Sequence, residues 1–205
     1  MKIIDQSWQW LQKPVNPLEL IERAGRTCYK SEHRMAPGSA EKFVKMLVEL
    51  GHEAVIEHVH ASVLFITNRG VTHELVRHRM ASYAQESTRY VRYNGEMEFI
   101  KPVWWHDANY SEEQKDNWSK AMQLSEDLYL KALALGDKPE QARELLPNSL
   151  KTEIVITANL REWRHIFKLR CSNKAHPQIR MLMLDCLQGF IQEIPIVFDD
   201  LKFSS

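Results

Sequence analysis

The segment from Lys151 to Arg170 constrains the fold more tightly than any other, because its hydrophobic period changes at one residue. From Lys151 to Ala158, Thr152, Ile154 and Ile156 alternate with Glu153, Val155 and Thr157, which predicts a strand with its more apolar face inward. Asn159 then caps a helix from Leu160 to Arg170. On that helix Leu160, Trp163, Phe167 and Arg170 share one side, and Arg161, Arg164, His165 and Lys168 share another. The basic stripe reads as a solvated face. Arg170 differs, because an arginine on an apolar stripe needs a partner, and a bound anion or a carbonyl-rich base would serve.

Other elements follow the same two periods. Ile3-Ile4 opens a short strand, and Leu18, Ile21, Ala24 and Cys28 predict a helix over Pro17 to Tyr29 with Asn16 as its cap. A second helix follows Pro37-Gly38-Ser39, with Phe43, Met46, Leu47 and Leu50 inward and Gly51 as its stop. Ala61 to Asn68 is a strand that ends at Arg69-Gly70. Glu96 to Val103 reads as a strand pairing back with it. The longest helix runs from Ser111 to about Leu135, with Trp118, Met122, Tyr129 and Leu133 on one face, Ser125 interrupting and Gly136 as its stop. A short helix lies between Pro139 and Pro147, a closing helix runs from Pro177 to Ile191, and a tail follows from Ile194.

The stretch Arg77 to Tyr90 carries too few apolar residues for a core element and reads as a site. Thr72 is placed as the cap of a short helix reaching about Met80, with Val76 and Met80 on its buried side and Arg77 and Arg79 about 200° apart. Beyond Ala81 an extended loop would set Gln85, Ser87 and Arg89 on one side, a donor row that suits a phosphate or nucleotide. A salt-bridged surface face remains open on spacing alone. Three histidines between His52 and His60 invite a metal, yet neither they nor His73 and His78 have the one-turn HExxH spacing, so no metal is expected.

A chain of 205 residues with 44% hydrophobic content is expected to form one domain, residues 1–205. Its 27 basic and 27 acidic residues cancel, which argues against a nucleic-acid partner. The three cysteines lack CxxC spacing, and the opening Met1-Lys2-Ile3-Ile4-Asp5 lacks a signal-peptide run, so the cytoplasm is the expected compartment. No run approaches the roughly 18 apolar residues of a membrane span.

Arg77-His78-Arg79, seven residues, then Ser87-Thr88-Arg89-Tyr90 resembles the signature of the flavin-dependent thymidylate synthases. Asn159-Leu160-Arg161, Leu169-Arg170 and Ala175 to Ile179 resemble the carboxy-terminal region of the same family, and the resemblance spans about residues 43 to 200. It implies an α+β fold with a mainly antiparallel sheet packed with long helices, assembled as a homotetramer with sites between subunits. The implied reaction is reductive methylation of dUMP to dTMP, with 5,10-methylenetetrahydrofolate as carbon donor and NADPH as reductant through FAD, and without an enzyme nucleophile. Carried over residue by residue, Glu74, Arg77, Gln85, Ser87, Thr88, Arg89, Arg143 and Arg170 would bind dUMP, with Arg170 catalytic at the uracil. His52, Glu57, Arg77, His78, Arg79, Asn159, Arg161 and His165 would bind FAD. The chain departs from the family pattern at Glu74, Ala84, Gln85, His165 and Lys174.

Overall fold

A computed structural model describes residues 1–203. Six strands, β1 (Lys2–Ile4), β2 (Ser7–Gln12), β3 (His60–Asn68), β4 (Ser82–Gln85), β5 (Glu98–Ile100) and β6 (Lys151–Asn159), alternate with eight α-helices. These are α1 (Pro17–Tyr29), α2 (Ser39–Glu49), α3 (Arg69–Leu75), α4 (Glu112–Ala134), α5 (Pro139–Ala142), α6 (Leu160–Arg170), α7 (Pro177–Glu193) and α8 (Pro195–Phe198). The larger sheet has the order β2-β3-β6-β4, and the fold is the expected mixture of helices and antiparallel sheet.

The chain divides into two compact units. The first comprises Met1–Trp8, Leu64–Arg77 and Tyr83–Val155; the second comprises Gln9–Val63, His78–Ser82 and the chain from Ile156 onward. Strands β3 and β6 each change unit along their length.

In the first unit, Met97, Phe99, Met122, Tyr129, Leu133 and Leu150 form a buried apolar cluster under α4. Helix α4 starts where expected, because Ser111 Oγ accepts from Gln114 N at 3.2 Å and Gln114 Oε1 accepts from Ser111 N at 2.8 Å. Ser125, the polar break in its apolar face, donates to Leu145 O at 2.6 Å. Expectations fail here at β5 and around α3. Strand β5 pairs in parallel with β1, Phe99 opposite Ile3, and not with β3. Helix α3 starts three residues before Thr72, because Asn68 Oδ1 accepts from Val71 N at 2.9 Å; the Thr72 hydroxyl instead donates to Arg69 O at 3.1 Å. Gly70 suits this turn, since a Cβ there would lie 3.3 Å from the capping Asn68 Oδ1. The helix therefore ends at Leu75, leaving Val76 exposed. The rotation expected between Arg77 and Arg79 does not arise, as neither residue is helical.

In the second unit, Trp163 and Phe167 of α6, Phe190 of α7 and Phe198 of α8 interlock with centroids 4.9 to 6.0 Å apart, joined by Trp10 at 4.5 Å from Phe190. Such aromatic pairs add about 0.5–1.5 kcal/mol each beyond simple burial. Trp163 Nε1 also donates to Ala61 O at 3.2 Å, so one face of α6 is locked and the opposite face is presented outward. Asn159 caps α6 as predicted, accepting from Glu162 N at 2.8 Å, whereas Asn16 stands in a left-handed conformation before α1 and makes no capping bond. In α2 the buried set is Ala40, Phe43, Val44 and Leu47; Met46 and Leu50 point outward, because the 3.6-residue period carries them past the stripe that packs on α1. There Gly25 lets the helices approach, a Cβ at that position falling 2.7 Å from Phe43 Cε1. Met80, expected on a buried side, is exposed. Among the described residues no helix is long and apolar enough to cross a membrane.

Candidate active site

In the second unit the outward face of α6 forms one wall of a cleft of about 380 Å³. Asn159, Arg161, Glu162, His165 and Lys168 line that wall, with Glu53, Glu57 and Met80 completing the cleft. Three cations converge on Glu53: Arg164 Nε at 3.3 Å, Lys168 Nζ at 3.4 Å and Arg161 Nε at 3.6 Å. Arg161 also donates to Glu57 Oε1 at 2.5 Å.

Arg164 departs from the expected solvated stripe. Only 3% exposed, it forks onto Asp200 at 2.6 and 2.7 Å and donates to the Val197 carbonyl. It ties α6 to the end of α8 and has no surface left for a ligand. Arg161 and Lys168, both about half exposed, are the cations of this face that a ligand can reach.

Behind the cleft lies His78, 4% exposed. Arg170 Nε donates to its Nε2 at 3.0 Å, so in the neutral ring the proton is assigned to Nδ1, which faces Glu162 Oε1 at 3.7 Å. The His165 ring stands edge-on at 5.6 Å. Burial first, then the Arg170 guanidinium and His165, push the His78 imidazole from 6.5 down to about 4, while burial raises the Glu162 carboxyl. His78, Glu162 and His165 offer ligand atoms within 4.8 Å of one another, a spacing that could hold a metal. Arg170 opposes that use, since it keeps Nε2 as the acceptor and Nδ1 as the protonated nitrogen, and adds a fixed positive charge.

The His78 environment has a measurable acid signature. Its folded pKa lies below the unfolded value, so the unfolded chain binds the proton first as pH falls. The stabilisation is complete above about pH 6.5 and is lost progressively down to about pH 4. Urea melts near pH 7.5 and near pH 5 should differ by a His78 contribution on the order of 2 kcal/mol, absent in His78→Gln. An unchanged pH difference in that variant would contradict the assignment.

The first unit holds the remaining predicted substrate residues. The extended run stops at Gln85, whose Nε2 donates to Thr72 Oγ1 at 2.9 Å and Thr152 Oγ1 at 3.3 Å, so its amide is committed to structure. Ser87 does not continue an extended row with Arg89: its carbonyl accepts from Tyr90 N and Val91 N, and its hydroxyl accepts from Arg89 N at 3.4 Å, making a turn. Thr88 is buried in this turn, and Arg89 projects outward with its guanidinium 5.4 Å from the Tyr90 ring. Arg143, at the end of α5, has Glu144 at 3.6 Å. Glu74 is half-buried on α3 and Arg77 is exposed after it.

The predicted flavin set thus separates. Glu57, Asn159, Arg161 and His165 line the cleft, and His78 backs onto His165. Asn159 uses its side-chain oxygen as the α6 cap. His52 is exposed and meets Tyr29 Oη at 3.3 Å outside the cleft lining; Arg79 is exposed, and Arg77 belongs to the first unit. Glu53, Glu162 and Lys168 were not among the expected site residues. Lys168 was legible in outline, lying one turn from His165 on the same helix face, whereas nothing local marks Glu162 as more than a first-turn acid favoured by the helix dipole.

A mixed helix and sheet chain, with a cleft of paired cations and carboxylates on a capped helix and a separate donor-rich turn, has the makings of an enzyme for a polar ligand. Residues 10–196 match the family described as thymidylate synthase complementing protein, and the chain belongs to that family. It is 35% identical over 206 residues to the flavin-dependent thymidylate synthase of Mycobacterium sp. (strain JLS), covering 89% of this chain and 79% of the relative. The protein of the same name from Mycobacterium avium (strain 104) is 35% identical over 205 residues, covering 91% of this chain and 80% of the relative. Among solved structures, the UMP/dUMP methylase PolB from Streptomyces cacaoi, bound with 5-Br dUMP, shares the fold with a TM-score of 0.83 at 20% identity, over 97% of this chain and 96% of that one.

Proposed function

We propose that the chain methylates dUMP reductively to dTMP as a flavin-dependent thymidylate synthase, using FAD, 5,10-methylenetetrahydrofolate as carbon donor and NADPH as reductant. The reading includes a cytoplasmic homotetramer with its sites between subunits. The observation that carries it is the 3.0 Å bond between the buried His78 and the half-buried Arg170, which joins the two separate segments of the family signature. The half exposure of Arg161 and Lys168 supports reading the cleft as the cofactor's pyrophosphate site, where an incoming phosphate would take them over from their partners Glu57 and Glu53. Asn159, Arg161 and His165 would hold FAD from α6, with Glu57, His78, His52, Arg77 and Arg79 as further contacts.

FAD, when bound, supplies the hydride for the pyrimidine. The chain's own residues bind and place charge. Arg170, oriented by His78, would face a uracil carbonyl and stabilise the negative charge that develops there. Ser87, Thr88, Arg89 and Arg143 would hold the phosphate, with Glu74, Arg77 and Gln85 shaping the pocket. The reading without an enzyme nucleophile is supported at three positions: burial pushes the Cys171 thiol up to about 12 and the buried Cys186 thiol well above its ordinary value, and Ser87 Oγ accepts from a backbone N–H.

Purified protein should be yellow or become so with added FAD. Titration of two variants tests the division of roles. Arg89→Ala should weaken dUMP binding and keep flavin, and Arg161→Ala should lose flavin first, each by about 1.5–3 kcal/mol, the range for a hydrogen bond to a charged group. A protein that never binds FAD would overturn the function, and the reverse pattern in the variants would overturn the assignment of residues.

A further inference from the structure

The turn that carries Ser87, Thr88 and Arg89 is closed by a side-chain bond. The Tyr93 hydroxyl donates to Glu86 Oε1 at 2.7 Å, across seven residues. Glu86 is itself fixed at both ends: its backbone N donates to Glu153 O at 2.9 Å, and its second carboxylate oxygen lies 3.4 Å from Lys151 Nζ. Glu86 and Lys151 are each only 16% exposed. Tyr93 is anchored from the other side, its backbone N donating to Tyr129 Oη at 3.4 Å and its ring meeting the Tyr129 ring edge-on at 5.8 Å. Between these anchors the exposed Arg89 would otherwise sample many positions, because the turn's internal bonds all end on Ser87.

We propose that Tyr93, acting through Glu86, is a positioning residue that holds the Ser87–Arg89 turn in the geometry that reads the substrate phosphate. The inference rests on the reading of that turn as the phosphate site. A hydroxyl bonded to a shielded carboxylate is a stronger tie than a neutral pair, and closing the loop in advance removes ordering entropy that binding would otherwise have to overcome. Lys151 Nζ, on the other carboxylate oxygen, helps hold the Glu86 side chain in place to receive the Tyr93 hydroxyl. Tyr93 touches no reacting atom in this scheme; its effect is confined to recognition of the phosphate.

Tyr93→Phe retains the ring that packs on Tyr129 and removes only the oxygen. The full-length, FAD-loaded variant should show a KM for dUMP raised about tenfold, kcat within about twofold and an unchanged flavin spectrum. Binding of deoxyuridine, which lacks the phosphate, should be unaffected, so the preference for dUMP over deoxyuridine should shrink by the same factor. Glu86→Ala should reproduce the effect, and Tyr93→Phe added to Glu86→Ala should change nothing more. Glu86→Gln, which keeps an acceptor for the hydroxyl, should restore part of the preference. Equal losses for dUMP and deoxyuridine, additive effects in the double variant, or a dUMP KM within twofold of the parent would each overturn the positioning role. Arg89→Ala separates the two levels: if it leaves the preference unchanged, the turn is not the phosphate site and the proposal goes with that reading. If it abolishes the preference while Tyr93→Phe does not alter it, the positioning role alone fails.

Discussion

Replacing Arg170 with alanine is expected to lower kcat about 100- to 1,000-fold while the protein still binds FAD, the range seen when a donor to developing charge is removed. The side chain stands at the end of α6, half-buried, with one of its donors fixed on the neutral His78 ring. In the proposed role, that bond would set the plane of the guanidinium in advance, so that its charge meets the uracil carbonyl without reorganisation. Arg170→Lys should recover only part of the loss, because an ammonium keeps the charge and loses the planar fork. Stopped-flow turnover with saturating dUMP, together with the flavin absorbance of each variant, reads both quantities. A kcat within threefold of the parent in Arg170→Ala would remove this residue from the chemistry.

The largest effect on stability is expected at Arg164. Arg164→Met should destabilise the fold by about 3 kcal/mol, within the range for removing one member of a buried ion pair. The guanidinium is engaged by Asp200, Glu53 and the Val197 carbonyl at once, and its removal leaves that carbonyl without this donor and unties α8 from α6. Asp200, itself half exposed, can recover water, which keeps the loss from growing further. The Arg164 hydrogen bond also holds the Asp200 carboxyl below its usual range, so in the parent this tie weakens as pH falls through that lowered value, and in Arg164→Met that acid sensitivity should be gone. Urea denaturation at neutral and acidic pH measures both. A loss under 1 kcal/mol would mean that the contacts seen around Arg164 are not held in solution.

Both residues lie on α6, and the sequence ranked them differently from the structure. It assigned Arg164 to a solvated stripe because helical position is all that a period conveys; with Arg161, Arg164, His165 and Lys168 on one side, nothing distinguished the buried one. The glutamate and aspartate that bury Arg164 are 111 and 36 residues away. Arg170 was singled out for the opposite reason, since a charge among Trp163 and Phe167 is anomalous at any register. Its need for a partner was evident; that the partner is His78 was not, because 92 residues separate them.

Local chemistry explains what was legible. The Asn159 cap, the start of α4 at Ser111 and the alternation of β6 each depend on groups within a few residues, and the chain reads them identically in isolation and in the fold. The family signature is equally local, so kinship and the expected fold class were available from the order of residues alone. Start and stop signals were less secure where two candidates competed. Asn68 outranked Thr72 as the α3 cap, and that shift of register exposed Val76 and left Arg77 and Arg79 outside any helix. Strand partners, the burial of Arg164, the closure of the 86–93 loop by Tyr93 and the neutral state of His78 were decided only by tertiary structure. Each depends on which distant groups are brought within about 4 Å, and on how much water they exclude there, and neither quantity is encoded in spacing along the chain.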